Sequence, residues 1–119
     1  MVMIIDDDEA VRTATASLLR SWGFATSTFA RAEDFLHSPR LNEAGCVISD
    51  VQMPGMNGLE LQARLIAGGH PVPLIFITAF PEERIRRQAD AAGAAGFFVK
   101  PFDGDEMIAC LRQALRAPA

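Results

Sequence analysis

Cys46-Val47-Ile48-Ser49-Asp50-Val51-Gln52-Met53-Pro54-Gly55-Met56-Asn57-Gly58 decides the fold of this chain. Cys46–Ser49 reads as a short buried strand that runs straight into Asp50. Gln52 to Gly58 is turn chemistry, dense in Pro, Gly and Asn. Leu59, Gln62, Leu65 and Ile66 then recur at three- and four-residue steps, the spacing of one helix face, until Gly68-Gly69 stops the helix. The unit is a strand, a carboxylate at its end, a turn and a helix.

Short apolar runs alternate with segments of helical period on both sides. Upstream, Val2–Ile5 is an apolar run ending in Asp6. Val11, Ala14, Leu18, Leu19 and Trp22 follow at helical spacing, with Trp22 expected in the core and Gly23 closing the helix. Asp8 or Glu9 is placed to cap that helix. Ala25–Phe29 is a weaker, Thr-rich second strand, and a short helix over Ala32–His37 ends before Pro39. Downstream, Leu74–Thr78 is a fourth strand. Pro81 opens a helix that runs to Ala92, with Gly93 beyond it. Gly96–Val99 is a fifth strand; Asp103 caps a fifth helix through Ile108, Leu111 and Leu115, with Glu106 in the capping-box position.

Strands apolar on both faces and separated by helices predict a parallel sheet covered on each side, a three-layer α/β sandwich. Right-handed crossovers leave few topologies, and the flavodoxin-like strand order 2-1-3-4-5 fits best. The 119 residues are the size of one domain, and half of them are hydrophobic, enough for a core. No internal repeat or second domain is expected; Arg116-Ala117-Pro118-Ala119 reads as the start of a linker or as the end. The net charge of −4 argues against direct nucleic-acid binding. Cys46 and Cys110 sit in apolar stretches and read as reduced thiols. The run Met1–Ile5 is too short for a signal peptide or membrane span, so the chain is expected to stay in the cytoplasm, away from membranes.

In such sheets, sites form beyond the carboxyl ends of the strands. There the sequence places Asp6-Asp7-Asp8-Glu9, Asp50, Thr78 and Lys100, each after a different strand except the first group. Crowded carboxylates are relieved by a hard cation with oxygen ligands, and magnesium suits one or two carboxylates plus waters and phosphate oxygens. With such an ion beside it, Asp50 can act as a nucleophile toward a phosphoryl group. Thr78 can donate a hydrogen bond to one phosphate oxygen, and Lys100 can pair with another.

These residues carry a resemblance. Ile4-Ile5-Asp6-Asp7-Asp8 with Val11-Arg12, the segment Ser49 to Gly58, Ile77-Thr78-Ala79, and Gly96-Phe97-Phe98-Val99-Lys100-Pro101-Phe102 together resemble the receiver domain of two-component response regulators, a CheY-like family. The resemblance spans essentially the whole chain. It implies that Asp50 is the phosphoacceptor and that Asp6, Asp7, Asp50 and the Gln52 backbone carbonyl hold Mg2+. It also implies that Thr78 and Phe97 are switch residues, that Lys100 pairs with the phosphate, and that Lys100-Pro101 is a cis peptide. The implied partners are a sensor histidine kinase and an output domain or downstream protein, transcriptional control being one outcome. The surface made by the fourth helix, fifth strand and fifth helix would then change, and a homodimer through it on phosphorylation is one implied use. Arg84, Arg86 and Arg87 lie there, either as a partner contact or as an ordinary solvated face. Gln52 and Phe80 occupy positions expected to set how long the phosphoryl group lasts.

Three other readings stay open on sequence alone. A haloacid-dehalogenase-like phosphatase also uses a strand-end aspartate with Thr, Lys and magnesium, but the chain is short for that fold. A flavin or nucleotide module would be repelled by carboxylates after the first strand. A pseudo-receiver binds partners without phosphorylation and typically lacks an acidic or lysine position, none of which is missing here.

Overall fold

The structure, a computed structural model, describes residues 1–116. The tail reading for residues 117–119 lies outside the described residues. Five strands, β1 (Val2–Ile5), β2 (Thr26–Phe29), β3 (Cys46–Asp50), β4 (Leu74–Thr78) and β5 (Gly96–Val99), form one sheet in the order β2-β1-β3-β4-β5. Every neighbouring pair is parallel. The helices are α1 (Glu9–Ser21), α2 (Ala32–Leu36), α3 (Gly58–Ala67), α4 (Glu83–Ala91) and α5 (Gly104–Arg116), and a short 3-10 turn, Leu41–Glu43, precedes β3. The expected order is the observed one.

Alternation along the strands divides the core between two faces. Val2, Ile4, Ile48, Ile75 and Ile77 pack with Ala16 and Leu19 of α1 and Met107, Ile108 and Leu111 of α5. Met3, Ile5, Val47 and Phe76 pack with Phe35 of α2, Leu61 and Leu65 of α3 and Ala89 of α4. The three central strands are buried throughout, whereas the edge strands β2 and β5 are not. That gradient is what a doubly covered parallel sheet requires, since only its middle has neighbours on every side.

The helix ends follow local chemistry. Asp8 caps α1, its side chain accepting from the N–H groups of Ala10 and Val11. Gly23 adopts φ +91 just past α1, a left-handed turn that favours glycine. Asp103 accepts from the N–H groups of Asp105 and Glu106 at the start of α5. A reciprocal capping box closes α3, between Asn57 and Glu60.

Some expected faces are rotated. Trp22 is 44% exposed, not core: it is the C-cap residue of α1, and the Arg112 guanidinium lies 5.1 Å from its ring centroid. On α3, Leu61 takes the inward position and Ile66 is exposed; on α5, Leu115 is exposed. Helix α4 begins at Glu83, two residues after Pro81, with Glu82 as its N-cap.

Candidate functional site

Strand register builds the site. Ile5 lies beside Ser49, so Asp6 and Asp50 leave neighbouring strands at one level. Thr78 lies beside Val99, so Lys100 follows at the same rim. Asp6, Asp7 and Asp50 each offer a carboxylate oxygen, and these oxygens all lie within 4.8 Å of one another. Asp6 and Asp50 are buried, while Asp7 is exposed. The Lys100 ammonium spans two of them, 2.9 Å from Asp6 Oδ2 and 2.8 Å from Asp50 Oδ2. The bond from Lys100 to Pro101 is cis.

The remaining carboxylate oxygens are held by backbone. Asp6 Oδ1 accepts from the Asp8 N–H at 2.9 Å, and Asp50 Oδ1 accepts from the Gln52 N–H at 3.0 Å. Burial pushes the Asp6 carboxyl above its ordinary value, against the opposing pull of the Asp8 N–H and of Lys100. Burial also pulls the Lys100 ammonium down, but its hydrogen bonds to Asp50 and Asp6, with their charges, outweigh it and leave the group above its usual value. Charge on Asp6 is thus costly without a cation, and further positive charge at the rim would relieve it. Three clustered carboxylates with oxygen donors fit a hard divalent ion such as magnesium.

Thr78 is buried at the end of β4, and its Oγ1 accepts from the Phe80 N–H at 3.1 Å. The Phe80 side chain stands out into solvent, 70% exposed. Phe97 is half-buried on β5, its ring centroid 6.4 Å from that of Phe76. With Val99, Pro81, Glu82, Glu83 and Arg86 it lines a cavity of about 320 Å³ at the start of α4. Phe98 turns to the opposite sheet face, so each phenylalanine is partly buried in a different core. Gln52 reaches the cluster through its N–H.

Beneath the cluster, Gly58 is a close approach. A Cβ there would come 2.8 Å from the Asp50 carbonyl oxygen and 2.8 Å from the Phe76 ring, so α3 can start this close to β3 only with glycine. Sequence reasoning missed one neighbour of the site: Arg12 donates from its guanidinium to the Asp6 carbonyl oxygen at 2.8 Å. It lies within a quoted motif, but no spacing rule identifies a side chain that reaches back to a main-chain carbonyl.

The comparisons with known proteins agree with this geometry. A family model described as the response regulator receiver domain matches residues 2–112. The response regulator protein TodT of Pseudomonas putida is 40% identical over 116 residues, covering 98% of this chain and 51% of TodT. The transcriptional regulatory protein FixJ of Bradyrhizobium diazoefficiens is 37% identical over 115 residues, covering 97% of this chain and 56% of FixJ. The chain therefore spans about half the length of these curated relatives. A crystal structure of FixJ-N superposes with a TM-score of 0.89 at 32% identity, covering 99% of this chain and 94% of that one. Parallel order, rim carboxylates and matched sequence converge, and the chain belongs to the response regulator receiver domain family.

Proposed function

We propose that Asp50 accepts a phosphoryl group from the phosphohistidine of a sensor histidine kinase. The observation that carries this reading is the Asp50 carboxylate beside the Asp6 and Asp7 oxygens, with Lys100 Nζ 2.8 Å away. An Asp50 oxygen attacks phosphorus; the P–O bond forms as the P–N bond of the donor breaks, and the electron pair stays on the leaving imidazole, which takes up a proton. Phosphoryl transfer asks mainly for positioning and charge stabilisation. Lys100 supplies one fixed positive charge, which can follow a phosphate oxygen as Asp50 is modified. Asp6, Asp7, Asp50 and the Gln52 backbone carbonyl are the groups that would hold Mg2+, which when bound offsets negative charge on the incoming phosphate. The chain acts on itself alone and turns over no separate substrate.

Thr78 and Phe97 are the switch pair of this reading. Thr78 gives up its local bond from the Phe80 N–H and donates to a phosphate oxygen, which opens space beneath it for Phe97 to turn inward. A few kcal/mol of differential contact is enough to shift such a population. The α4–β5–α5 surface, with exposed Arg84, Arg86 and Arg87, then meets an output domain, a downstream protein or a second phosphorylated copy. FixJ is named a transcriptional regulatory protein, and control of transcription is the output we assign to this receiver. An apolar groove of about 420 Å³, lined by Val11, Ala14, Leu18, Lys100, Pro101 and Phe102, opens beside the site. Among the described residues, no helix is long and apolar enough to cross a membrane.

Incubation with acetyl phosphate tests the proposal. One phosphoryl group per chain is expected with magnesium, little without it, and none for Asp50→Asn. Labelling of Asp50→Asn at the wild-type level would overturn it, and so would steady turnover of a phosphate ester. We assign Phe80, two residues after Thr78, the role of obstructing an attacking water; Phe80→Ala should shorten the phosphorylated lifetime, and an unchanged lifetime would refute that role.

A further inference from the structure

Asp7 differs from the other two carboxylates of the cluster. Asp6 is buried and tied by two hydrogen bonds, and so is Asp50. Asp7 is exposed, and among the described residues its carboxylate makes no hydrogen bond. No side-chain bond holds it within 4.8 Å of the others, so the main chain sets the direction from which it approaches them. The group that aims it is the peptide between residues 6 and 7, a rigid plane. Once the carbonyl end of that plane is fixed, rotation about the bonds on either side is restricted, and the direction of the Asp7 side chain follows.

Arg12 fixes that carbonyl. Its guanidinium donates to the Asp6 carbonyl oxygen at 2.8 Å. Its own backbone is locked in the first turn of α1, where the Arg12 N–H donates to the Asp8 carbonyl at 2.9 Å. Asp8 in turn caps that helix and gives its N–H to Asp6. The β1–α1 turn is thus closed from both ends, and Arg12 is the tie that crosses over its top. We infer that Arg12 is a positioning residue that orients the Asp6–Asp7 peptide so that Asp7 faces the cation site. This rests on the proposed magnesium-binding reading.

Charge and geometry predict opposite signs, so the idea can be tested. Removing a positive side chain beside a cation site should, by charge alone, tighten magnesium binding. Loss of positioning should weaken it. Partners of this outer kind typically cost 10–100-fold in metal affinity when removed. Titration of the metal-free chain with magnesium chloride at fixed ionic strength, followed by calorimetry, would measure the affinity. Arg12→Ala should raise the Kd about 10-fold. Arg12→Lys keeps the charge but lacks the planar fork, and should weaken binding by several-fold. Melting of the metal-free variants separates an ordinary structural role, which would lower the melting temperature and leave the affinity unchanged. Arg12→Ala binding magnesium as tightly as wild type, or tighter, overturns the inference. So does Arg12→Lys at wild-type affinity, a variant that serves even where the alanine form fails to fold. A wild-type chain that binds no magnesium at millimolar concentrations would instead remove the metal reading itself, and the role of Arg12 with it.

Discussion

Helices α3 and α4 lie next to each other on one face of the sheet, yet they are attached very differently. Helix α3 starts against the Asp50 backbone, buries Gly58, Leu61, Gln62 and Leu65, and is closed by the Asn57–Glu60 capping box. Helix α4 buries only Ala89, and its N-cap, Glu82, makes no side-chain cap bond. Its Arg87–Glu83 pair is exposed at 3.4 Å and adds little. Near its C-terminal end, Gln62 Nε2 donates across to the Ala89 carbonyl at 3.2 Å. At its other end lies the cavity beside Phe97. One helix is built onto the strand that carries Asp50; the other is fastened at one end. Elements with few buried contacts open at low free energy, and those are the elements a switch can move.

This contrast can be broken by mutation. The largest effect is expected at Leu61, fully buried on α3: Leu61→Ala should cost about 2–5 kcal/mol in urea unfolding, while Ile85→Ala on α4 should cost about 1 kcal/mol. Equal losses would end the comparison. Gly58→Ala comes next, at about 2 kcal/mol, because the new Cβ meets backbone and an aromatic ring that have little room to yield.

A pH experiment probes the strand beneath α3. Burial pushes the Cys46 thiol on β3 from 9.0 up to about 12. Cys110, half-buried on α5, and Lys100 are also raised. In each case the folded chain holds its proton more tightly than the unfolded one. Their stabilisation is complete below the unfolded value and is lost as pH rises toward the folded value. Stability should therefore fall above pH 9, with Cys46 alone giving about 1 kcal/mol per pH unit. Cys46→Ala should flatten that slope more than Cys110→Ala; the reverse order would place the tighter packing on the β5 side. The smallest contrast is at the caps. Asn57→Ala should cost about 1 kcal/mol, and Glu82→Ala should stay within about 0.5 kcal/mol.

How much of this was legible beforehand depends on the range of the signal. Strands β1, β3 and β4 were readable because each is a short apolar run punctuated by a carboxylate or a hydroxyl. Their carboxyl ends therefore named Asp6, Asp50 and Thr78 as rim residues, and Lys100 followed from β5. Trp22 was misplaced because its spacing matches the apolar face of α1, whereas the helix ends there and its ring is covered by Arg112 of α5. Ile66 differs for a related reason: the stripe through Leu59, Gln62 and Leu65 can be extended to Ile66 on one side or to Leu61 on the other, and only the sheet beneath selects between them.

The sequence by itself determined the alternation of strands and helices, their punctuation and the chemistry at each strand end, because these are local properties of neighbouring residues. Tertiary structure alone decided which helices share a layer, and it decided that one ammonium would join carboxylates 94 and 50 positions away. It also turned Arg12 back onto a main-chain carbonyl. Those contacts depend on sheet register and on how α1 and α5 cross it, and hydrophobic spacing reports how much apolar surface an element must bury, not what it will meet there.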